Sequence, residues 1–310
     1  METAPVADLA LSTAWLRGQD TPEGLLDQVQ AAGFSRLELE YRLSAAMVAG
    51  LARQMPGRGM AVVSVHNLCP FPPEAAGKLE PSGDLFNLAS AEREERDRAV
   101  RYTLRSIELA AGLEAAAVVL HLGWAAGLED KEATRGAARS GGMTPQLRAL
   151  VAARQAGSPA LLDAMSFALE PLIVRAQALG VSLGLENRFH AFQAPNLAEL
   201  TALFARFNGA PLGYWHDTGH AHNRELAGLN PAGAYLEALG GRLIGCHLHD
   251  AKGPDDHQPP YSGDLDWPAV CRALRDARVK TVELKPGPGP AAVATSAARL
   301  AAEFAAAGTP

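Results

Sequence analysis

The sequence predicts an α/β fold, a single-domain (β/α)8 or TIM barrel spanning residues 1–310. Short β-rich runs alternate with longer amphipathic segments along the whole chain, which is the pattern of a parallel sheet covered by helices. Eight such units can be counted. The length of 310 residues also suits a barrel folded as one domain. We find neither an internal repeat nor a linker that would divide the chain.

Each predicted strand is a short, mainly apolar run. The strands are LALST near residue 10, RLELE at 36–40, AVVSVH at 61–66, AAVVLHL at 116–122, VSLGLEN at 181–187, PLGYWHD at 211–217, LIGCHLHD at 243–250 and VKTVELKP at 279–286. Helices are predicted between them. Residues 92–112 carry apolar side chains at spacings of three and four, and the Ala-rich residues 291–307 would close the barrel.

Two connections are too long for ordinary βα turns, and they follow the third and fourth strands. Residues 67–91 are rich in proline, whereas residues 125–160 are polar and rich in glycine. Both would lie on the face of the barrel where catalysis takes place. We expect residues 125–160 to form a lid or mobile loop over the site; the alternative is a surface insertion without a role there.

The composition indicates which kinds of partner and which cellular compartment are expected for the protein. The net charge is −6 and no long Lys or Arg run is present, so nucleic acid is not the expected partner, although it is not excluded. The three cysteines, Cys69, Cys246 and Cys271, are an odd number without metal-finger spacing, which favours a reducing compartment. Without a basic leader or an apolar membrane span, we expect a cytoplasmic protein with no membrane partner. A homo-oligomer is compatible with the sequence.

Nearly every predicted strand ends in an ionisable side chain. These residues are His66, His121, Glu186, Asp217, His247 and Glu283, and just beyond strand ends lie His220, Asp255 and His257. Strand ends converge at the mouth of a barrel, so these side chains should meet there. One alone is more often a hydrogen-bonded structural residue, but so many acids and imidazoles together would be unstable without divalent cations. Nitrogen and oxygen donors favour one to three Zn²⁺ or Mn²⁺ ions.

Other side chains near the strand ends have weaker claims to the site. Strand alternation turns His216 away from the mouth, and His249 lies further along its strand than His247, so we expect His216 and His249 either to support the metal ligands from behind or to have structural roles. Of Glu38 and Glu40, only one is expected to face the barrel interior. Glu40 is nearer the strand end and is the better candidate for contact with a substrate.

The motifs that contain these residues resemble the xylose isomerase-like TIM-barrel superfamily over roughly the whole chain. This superfamily includes sugar and sugar-phosphate isomerases and epimerases, and also the endonuclease IV type of apurinic-site nuclease. The motifs are SVHNLCPFP, VVLHLG, LGLENRF, HDTGHAH, CHLHDAKGPDDHQPPYSGDLDW and VELKP. The resemblance places the shared metal ligands on Glu186, Asp217, His247 and Glu283. It places the further ligands with which the nuclease type holds three zinc ions on His66, His121, His220, Asp255 and His257.

The first function that the resemblance implies is a metal-dependent isomerase or epimerase of a small sugar, polyol or sugar phosphate. A divalent ion would lower the free energy of an enediolate, and Glu186 and Glu283 would act as general base and general acid. Arg188, two residues beyond Glu186, would bind a hydroxyl or phosphate of the substrate. Its alternative role is a surface ion pair.

The second implied function is hydrolysis of the phosphodiester at an abasic DNA site by a trinuclear zinc centre. In that case the basic residues of 125–160 would contact DNA; they are Lys131, Arg135, Arg139, Arg148 and Arg154. The acidic balance of the chain favours the first function, because duplex-binding proteins normally present cationic surfaces. A barrel that binds metal without turnover is a third, non-catalytic alternative, since fold does not fix function.

Overall fold

The computed structural model of the chain describes residue 6 and residues 8–16 and 21–308. Eight strands form a closed barrel: β1 (Leu9–Ser12), β2 (Arg36–Leu39), β3 (Ala61–His66), β4 (Ala117–Leu120), β5 (Ser182–Glu186), β6 (Leu212–Asp217), β7 (Leu243–Leu248) and β8 (Val279–Val282). Each strand pairs in parallel with the next one along the chain, and β8 pairs with β1. The predicted (β/α)8 fold is confirmed.

The helices surround the barrel. They are α1 (Pro22–Ala31), α2 (Ala45–Gln54), α3 (Arg93–Gly112), α4 (Lys131–Ser140), α5 (Pro145–Ala156), α6 (Ser158–Leu179), α7 (Leu197–Arg206), α8 (Thr218–Leu226), α9 (Ala234–Leu239), α10 (Trp267–Leu274) and α11 (Pro290–Ala307). Among the described residues, no single helix has both the length and the apolar character needed to cross a membrane. Only α5 and α6 taken together, bent by 59° at their junction, meet that test by length and composition.

The barrel interior is filled by side chains below its mouth. Trp215 of β6 is fully buried there and contacts small and branched residues of other strands, such as Val119. Gly184 and Gly245 leave the space that its indole ring occupies, because a Cβ atom at either position would collide with it. Asp217 follows two residues later on the same strand face, so Asp217 points inward one step nearer the mouth.

Residues 125–160 form helices rather than the predicted mobile loop. Asp130 caps the N-terminus of α4, since its side chain accepts a hydrogen bond from a first-turn N–H, and Gly141 with φ 74° caps the C-terminus. Thr144 caps α5 in the same way. The two helices have a small core of their own, in which Ala137 packs with Leu147. Alanines supply much of the apolar face of α4, which explains why the composition of the segment concealed an amphipathic helix.

Candidate active site

The ends of the barrel strands bring the predicted ligands together. His66, Glu186 and Asp217 are the last residues of β3, β5 and β6, and His121 and Glu283 follow immediately after β4 and β8. Among the described residues, donor atoms lie within 4.8 Å of one another in four overlapping groups: Glu186, Asp217 and His247; Glu38, His247 and Glu283; His66, His121 and Glu186; and Asp217, His249, His257 and Glu283. We call the residues of these groups the ligand cluster.

His247 is at the centre of the ligand cluster. Its Nδ1 atom lies 3.4 Å from Oε1 of Glu186 and 3.2 Å from Oε2 of Glu283. On the other side of the ring, Nε2 lies 3.1 Å from both carboxylate oxygens of Glu38, which also accepts a 2.7 Å hydrogen bond from Ser64. Burial lowers the pKa of His247, but the surrounding carboxylates, Glu283 first, hold that pKa well above its usual value. A carboxylate behind an imidazole is typical of histidines that bind metals.

A second part of the ligand cluster forms between β3, β4 and β5. Nε2 of His121 lies 2.9 Å from Oε2 of Glu186, and Nε2 of His66 lies 3.6 Å from the same oxygen. Burial opposes ionisation of Glu186, but the charges of His121 and His247 hold its pKa well below the usual range. Nδ1 of His220 lies 3.3 Å from the other oxygen of Glu186. Glu186 is therefore shared between two groups of donors.

The proline-rich segment 67–91 reaches back to the site, as its position after the third strand predicts. Gly83 lies against the imidazoles, since a Cβ atom there would be 2.8 Å from ring atoms of His121. Asp84 lies 3.1 Å from Nδ1 of His121 and accepts hydrogen bonds from Arg188 (2.6 Å) and Gln193 (2.8 Å). Burial raises the pKa of Asp84, but Arg188 and His121 together hold it well below the usual range. Sequence reasoning missed Asp84.

Arg188 is buried and does not form the surface ion pair that was its alternative predicted role. Its side chain is 2% exposed and is anchored to Asp84, so the surface ion pair considered for it is wrong. The substrate contact of Arg188 stays a prediction. Its position explains why Asp84 remains charged in a buried environment and can orient His121.

On the far side of the barrel mouth, the imidazole of His249 contacts the carboxylate of Asp217. Nε2 of His249 lies 2.9 Å from Oδ2 of Asp217, so His249 contacts a predicted metal ligand, and its expected role behind the ligands or in the structure stays a prediction. Nε2 of His257 lies 3.5 Å from Oε2 of Glu283, which links His257 to the same group. His216, in contrast, points away from the ligand cluster as alternation predicts: its Nδ1 is 2.7 Å from the hydroxyl of Tyr214.

The structure does not bring Asp255 into the ligand cluster. Its carboxylate is exposed and forms a 2.6 Å ion pair with Lys285. Asp256 instead lies 3.1 Å from Nδ1 of His257. The expectation rested on the position of Asp255 just beyond a strand end and on the resemblance to the nuclease type. In the structure Asp255 begins a short strand, Asp255–Gln258, on which its side chain is exposed.

Glu38 and Glu40 both point inward, which corrects the expectation that only one of them does. Side chains two residues apart in a strand share a face, and the two carboxylates are buried. Glu38 orients His247, whereas Glu40 forms a 2.8 Å ion pair with Arg42. Burial raises the pKa of Glu40 to about 7, and Arg42 opposes that rise. The substrate contact predicted for Glu40 stays a prediction.

A cavity of about 510 Å³ lies beside the ligand cluster. His220 and His257 line one side of it, and side chains of segments 67–91 and 125–160 line another; the latter include Asp84, Lys131 and Arg135. Trp124, which directly precedes the second segment, also lines the cavity. Segment 125–160 therefore contributes side chains to the cavity, and its role in covering the site stays a prediction. The volume is typical of a site for a small molecule.

The family model described as "Xylose isomerase-like TIM barrel" matches residues 26–303. The chain belongs to this family. It is also 36% identical over 103 residues to the uncharacterized protein y4fM of Sinorhizobium fredii, which corresponds to 33% of this chain and 32% of that protein. The chain thus spans about a third of the length of that relative.

Several solved structures share the fold over nearly their whole length. A D-tagatose 3-epimerase-like protein is 20% identical with a TM-score of 0.68, covering 96% of this chain and 97% of its own. L-ribulose 3-epimerase is 18% identical with a TM-score of 0.68, at 97% and 95% coverage. The TTHB071 protein from Thermus thermophilus, soaked with ZnCl2, is 24% identical with a TM-score of 0.62, at 96% and 98% coverage. At these identities the likeness concerns the fold.

Proposed function

We propose that this protein is a divalent-metal-dependent isomerase or epimerase of a small sugar, polyol or sugar phosphate. The observation that carries the proposal is the convergence of Glu186 and Glu283 on Nδ1 of His247 at distances of 3.4 and 3.2 Å. A cavity of small-molecule size lies beside them. The structural relatives named as D-tagatose 3-epimerase-like and L-ribulose 3-epimerase support this choice of reaction.

The residues present fit a divalent cation. Four carboxylates, each at most 6% exposed, surround His247; they are Glu38, Glu186, Asp217 and Glu283. Such a concentration of buried negative charge is unfavourable unless cations neutralise it. Glu186, Asp217, His247 and Glu283 would hold the ion, and the nitrogen and oxygen donors suit Zn²⁺ or Mn²⁺. A bound divalent ion supplies Lewis acidity toward a carbonyl oxygen.

The proton transfers belong to the two glutamates. The nearby histidines overcome the effect of burial and hold the pKa of both carboxyl groups well below the usual range, so Glu186 and Glu283 are available as bases. In an isomerisation, one carboxylate takes a proton from one carbon and returns it to the next. In an epimerisation the two carboxylates act on opposite faces: one takes the proton from the carbon, and the other delivers to that carbon a proton that it has first taken up from solvent.

The test combines a metal count with a proton-exchange assay. Elemental analysis of the purified protein counts the ions, and NMR in D2O follows deuterium incorporation next to the carbonyl of aldoses, ketoses and their phosphates. We expect turnover by the wild type and a loss of about 10²–10⁴-fold in Glu186→Gln and Glu283→Gln, because each removes a proton-transfer group. Glu108→Gln, which alters an exposed carboxylate paired with Arg175 on the barrel exterior, is the control and should remain active. Full turnover in both active-site variants would contradict the proposal.

Phosphodiester hydrolysis at an abasic site is the second candidate, favoured by the overlapping donor groups. His66, His121 and Glu186 form one group, and a further group contains His249 and His257. Three bound ions together with cleavage of abasic duplex DNA would establish it. Of the basic residues expected to contact DNA, Arg154 is unavailable because it is buried in a 2.7 Å ion pair with Glu199. Bound metal without turnover of sugars or DNA would support the non-catalytic alternative.

A further inference from the structure

The cavity beside the ligand cluster has two chemically different sides. One side carries His220 and His257 of the donor-rich mouth, and the other carries Lys131 and Arg135 of α4. We call Lys131 and Arg135 the α4 wall. They are four residues apart, so they lie on the same face of the helix. The wall therefore presents two positive charges to the space that a small molecule would occupy.

The charges of the α4 wall are not neutralised by neighbouring carboxylates. Among the described residues, neither Lys131 nor Arg135 forms an ion pair, whereas Arg139 on the same helix is paired with Glu132. The guanidinium of Arg135 is held differently: its Cζ atom lies 5.2 Å from the ring centroid of Phe189. An aromatic ring positions a guanidinium without cancelling its charge. The donors of Arg135 consequently remain available to a ligand.

The acidic residues that line this cavity do not offset the wall. Asp84 is paired with Arg188 and His121, and Asp256 is paired with His257. Glu129 accepts a 2.9 Å hydrogen bond from the indole of Trp124 and lies on the same side as the wall. Two cations against one carboxylate leave a net positive charge there.

The neighbouring His190 responds to this positive charge. Burial, and next the charge of Arg135, lower the pKa of His190 to about 3, and Lys131 acts in the same direction. The side chain is almost completely buried and its Nδ1 atom has no hydrogen-bond partner among the described residues. Arg135 and Lys131 thus act on a buried imidazole beside α4, in a chain whose net charge is −6.

We infer that the substrate carries an anionic group, a phosphate or a carboxylate, at its non-reacting end, and that Lys131 and Arg135 bind that group while the rest of the molecule faces the ligand cluster. Lys and Arg bind these groups through charge-assisted hydrogen bonds. The inference rests on the proposed function in one respect: it takes the cavity to be the substrate site. It narrows the substrate from any small hydroxylated carbonyl compound to an acidic one.

The test measures binding rather than turnover. Calorimetric titration of the purified full-length protein compares glycerol with glycerol 3-phosphate and glycerate, which share a three-carbon polyol frame. We expect one or both anions to bind at least about ten-fold more tightly than glycerol, and Lys131→Ala/Arg135→Ala to lose about 10- to 100-fold of that anion affinity. Whichever anion binds more tightly identifies the group. Glu129→Gln should strengthen anion binding about two- to five-fold, because it removes the opposing charge.

Arg139→Ala is the matched control, since it removes a cation from the same helix outside the cavity lining, and it should bind as the wild type does. Equal affinities for all three ligands would overturn the inference. It would also be overturned if the Lys131→Ala/Arg135→Ala variant kept the full preference for anions, because the ligand cluster would then be the anion site. None of these readouts needs turnover, so an inactive protein that binds anions through α4 would refute the proposed function alone.

Discussion

An imidazole of the ligand cluster and an imidazole that lines the cavity beside the α4 wall have opposite shifts in pKa. In the ligand cluster, burial lowers the pKa of His247 but the carboxylates raise it well above its usual value. Beside the α4 wall, burial and then Arg135 act in the same direction and lower the pKa of His190 to about 3. Both rings are buried, so burial alone does not distinguish them. The carboxylates around His247 account for the difference in sign, since without them burial would lower both pKa values.

The largest effect that we expect from a single change outside the proton-transfer pair concerns Glu38. Glu38→Gln keeps the shape of the side chain but removes the carboxylate that lies 3.1 Å from Nε2 of His247. Loss of a carboxylate behind a metal-binding histidine weakens metal affinity by about 10- to 100-fold. Competition between the protein and a fluorescent chelator for Zn²⁺ measures this affinity directly.

Ser64→Ala is the graded control for Glu38. It removes only the 2.7 Å hydrogen bond that Ser64 donates to Glu38 and leaves the carboxylate in place, so its effect on metal affinity should be clearly smaller. If Glu38→Gln bound Zn²⁺ as tightly as the wild type, the carboxylate would not orient His247. The contrast between the carboxylate-rich ligand cluster and the positively charged α4 wall would then be smaller than the structure indicates.

The second prediction concerns the opposite side and is a pH dependence. The pKa of His190 is lowered from 6.5 to about 3 in the folded state, so below pH 6.5 the unfolded chain binds a proton that the folded chain does not. The stability of the wild type should therefore fall as the pH falls. Relative to His190→Gln, which does not titrate, we expect a loss of about 2 kcal/mol between pH 7 and pH 5. Urea denaturation of the two proteins at both pH values measures the difference.

The variant Arg135→Ala tests whether the charge of Arg135 contributes to the lowered pKa of His190. Without the charge of Arg135, the pKa of His190 should rise toward its usual value, and the difference between proteins with and without His190 should shrink. The comparison is made in the presence of a chelator, so that bound cations do not alter the field. A difference that is independent of pH would show that His190 is not held neutral in the folded protein.

The sequence was sufficient to predict the ligand cluster because its signals are local. Strand ends can be recognised from short apolar runs, and parallel strands in a barrel place their ends together, which brings His66, Glu186 and Asp217 to one mouth. Glu38 was within reach of the same argument, since residues two apart share a strand face. The error over Asp255 arose because its side chain is exposed on the short strand Asp255–Gln258, and a position just beyond a strand end does not reveal the direction of a side chain.

The other side of the cavity was not predictable in the same way. Asp84 meets Arg188 across 104 positions of sequence, from a segment without helix or strand, and no periodicity relates the two. The α4 wall lies on a helix whose apolar face contains several alanines, so the segment reads as a polar loop. The positions of Lys131 and Arg135 depend on how α4 packs against the barrel, which is a tertiary property rather than a local one.

The smallest effect that we expect tests how the α4 wall is held. Phe189→Leu keeps an apolar side chain but removes the ring that lies 5.2 Å from the Arg135 guanidinium. An exposed cation–π contact contributes about 0.5–1 kcal/mol, so binding of glycerol 3-phosphate should weaken by about two- to five-fold. The affinity for Zn²⁺ should not change, because phenylalanine offers no metal ligand. Unchanged anion binding would show that Arg135 is positioned without the ring, and a simultaneous loss of metal affinity would show that the two sides of the cavity are not independent.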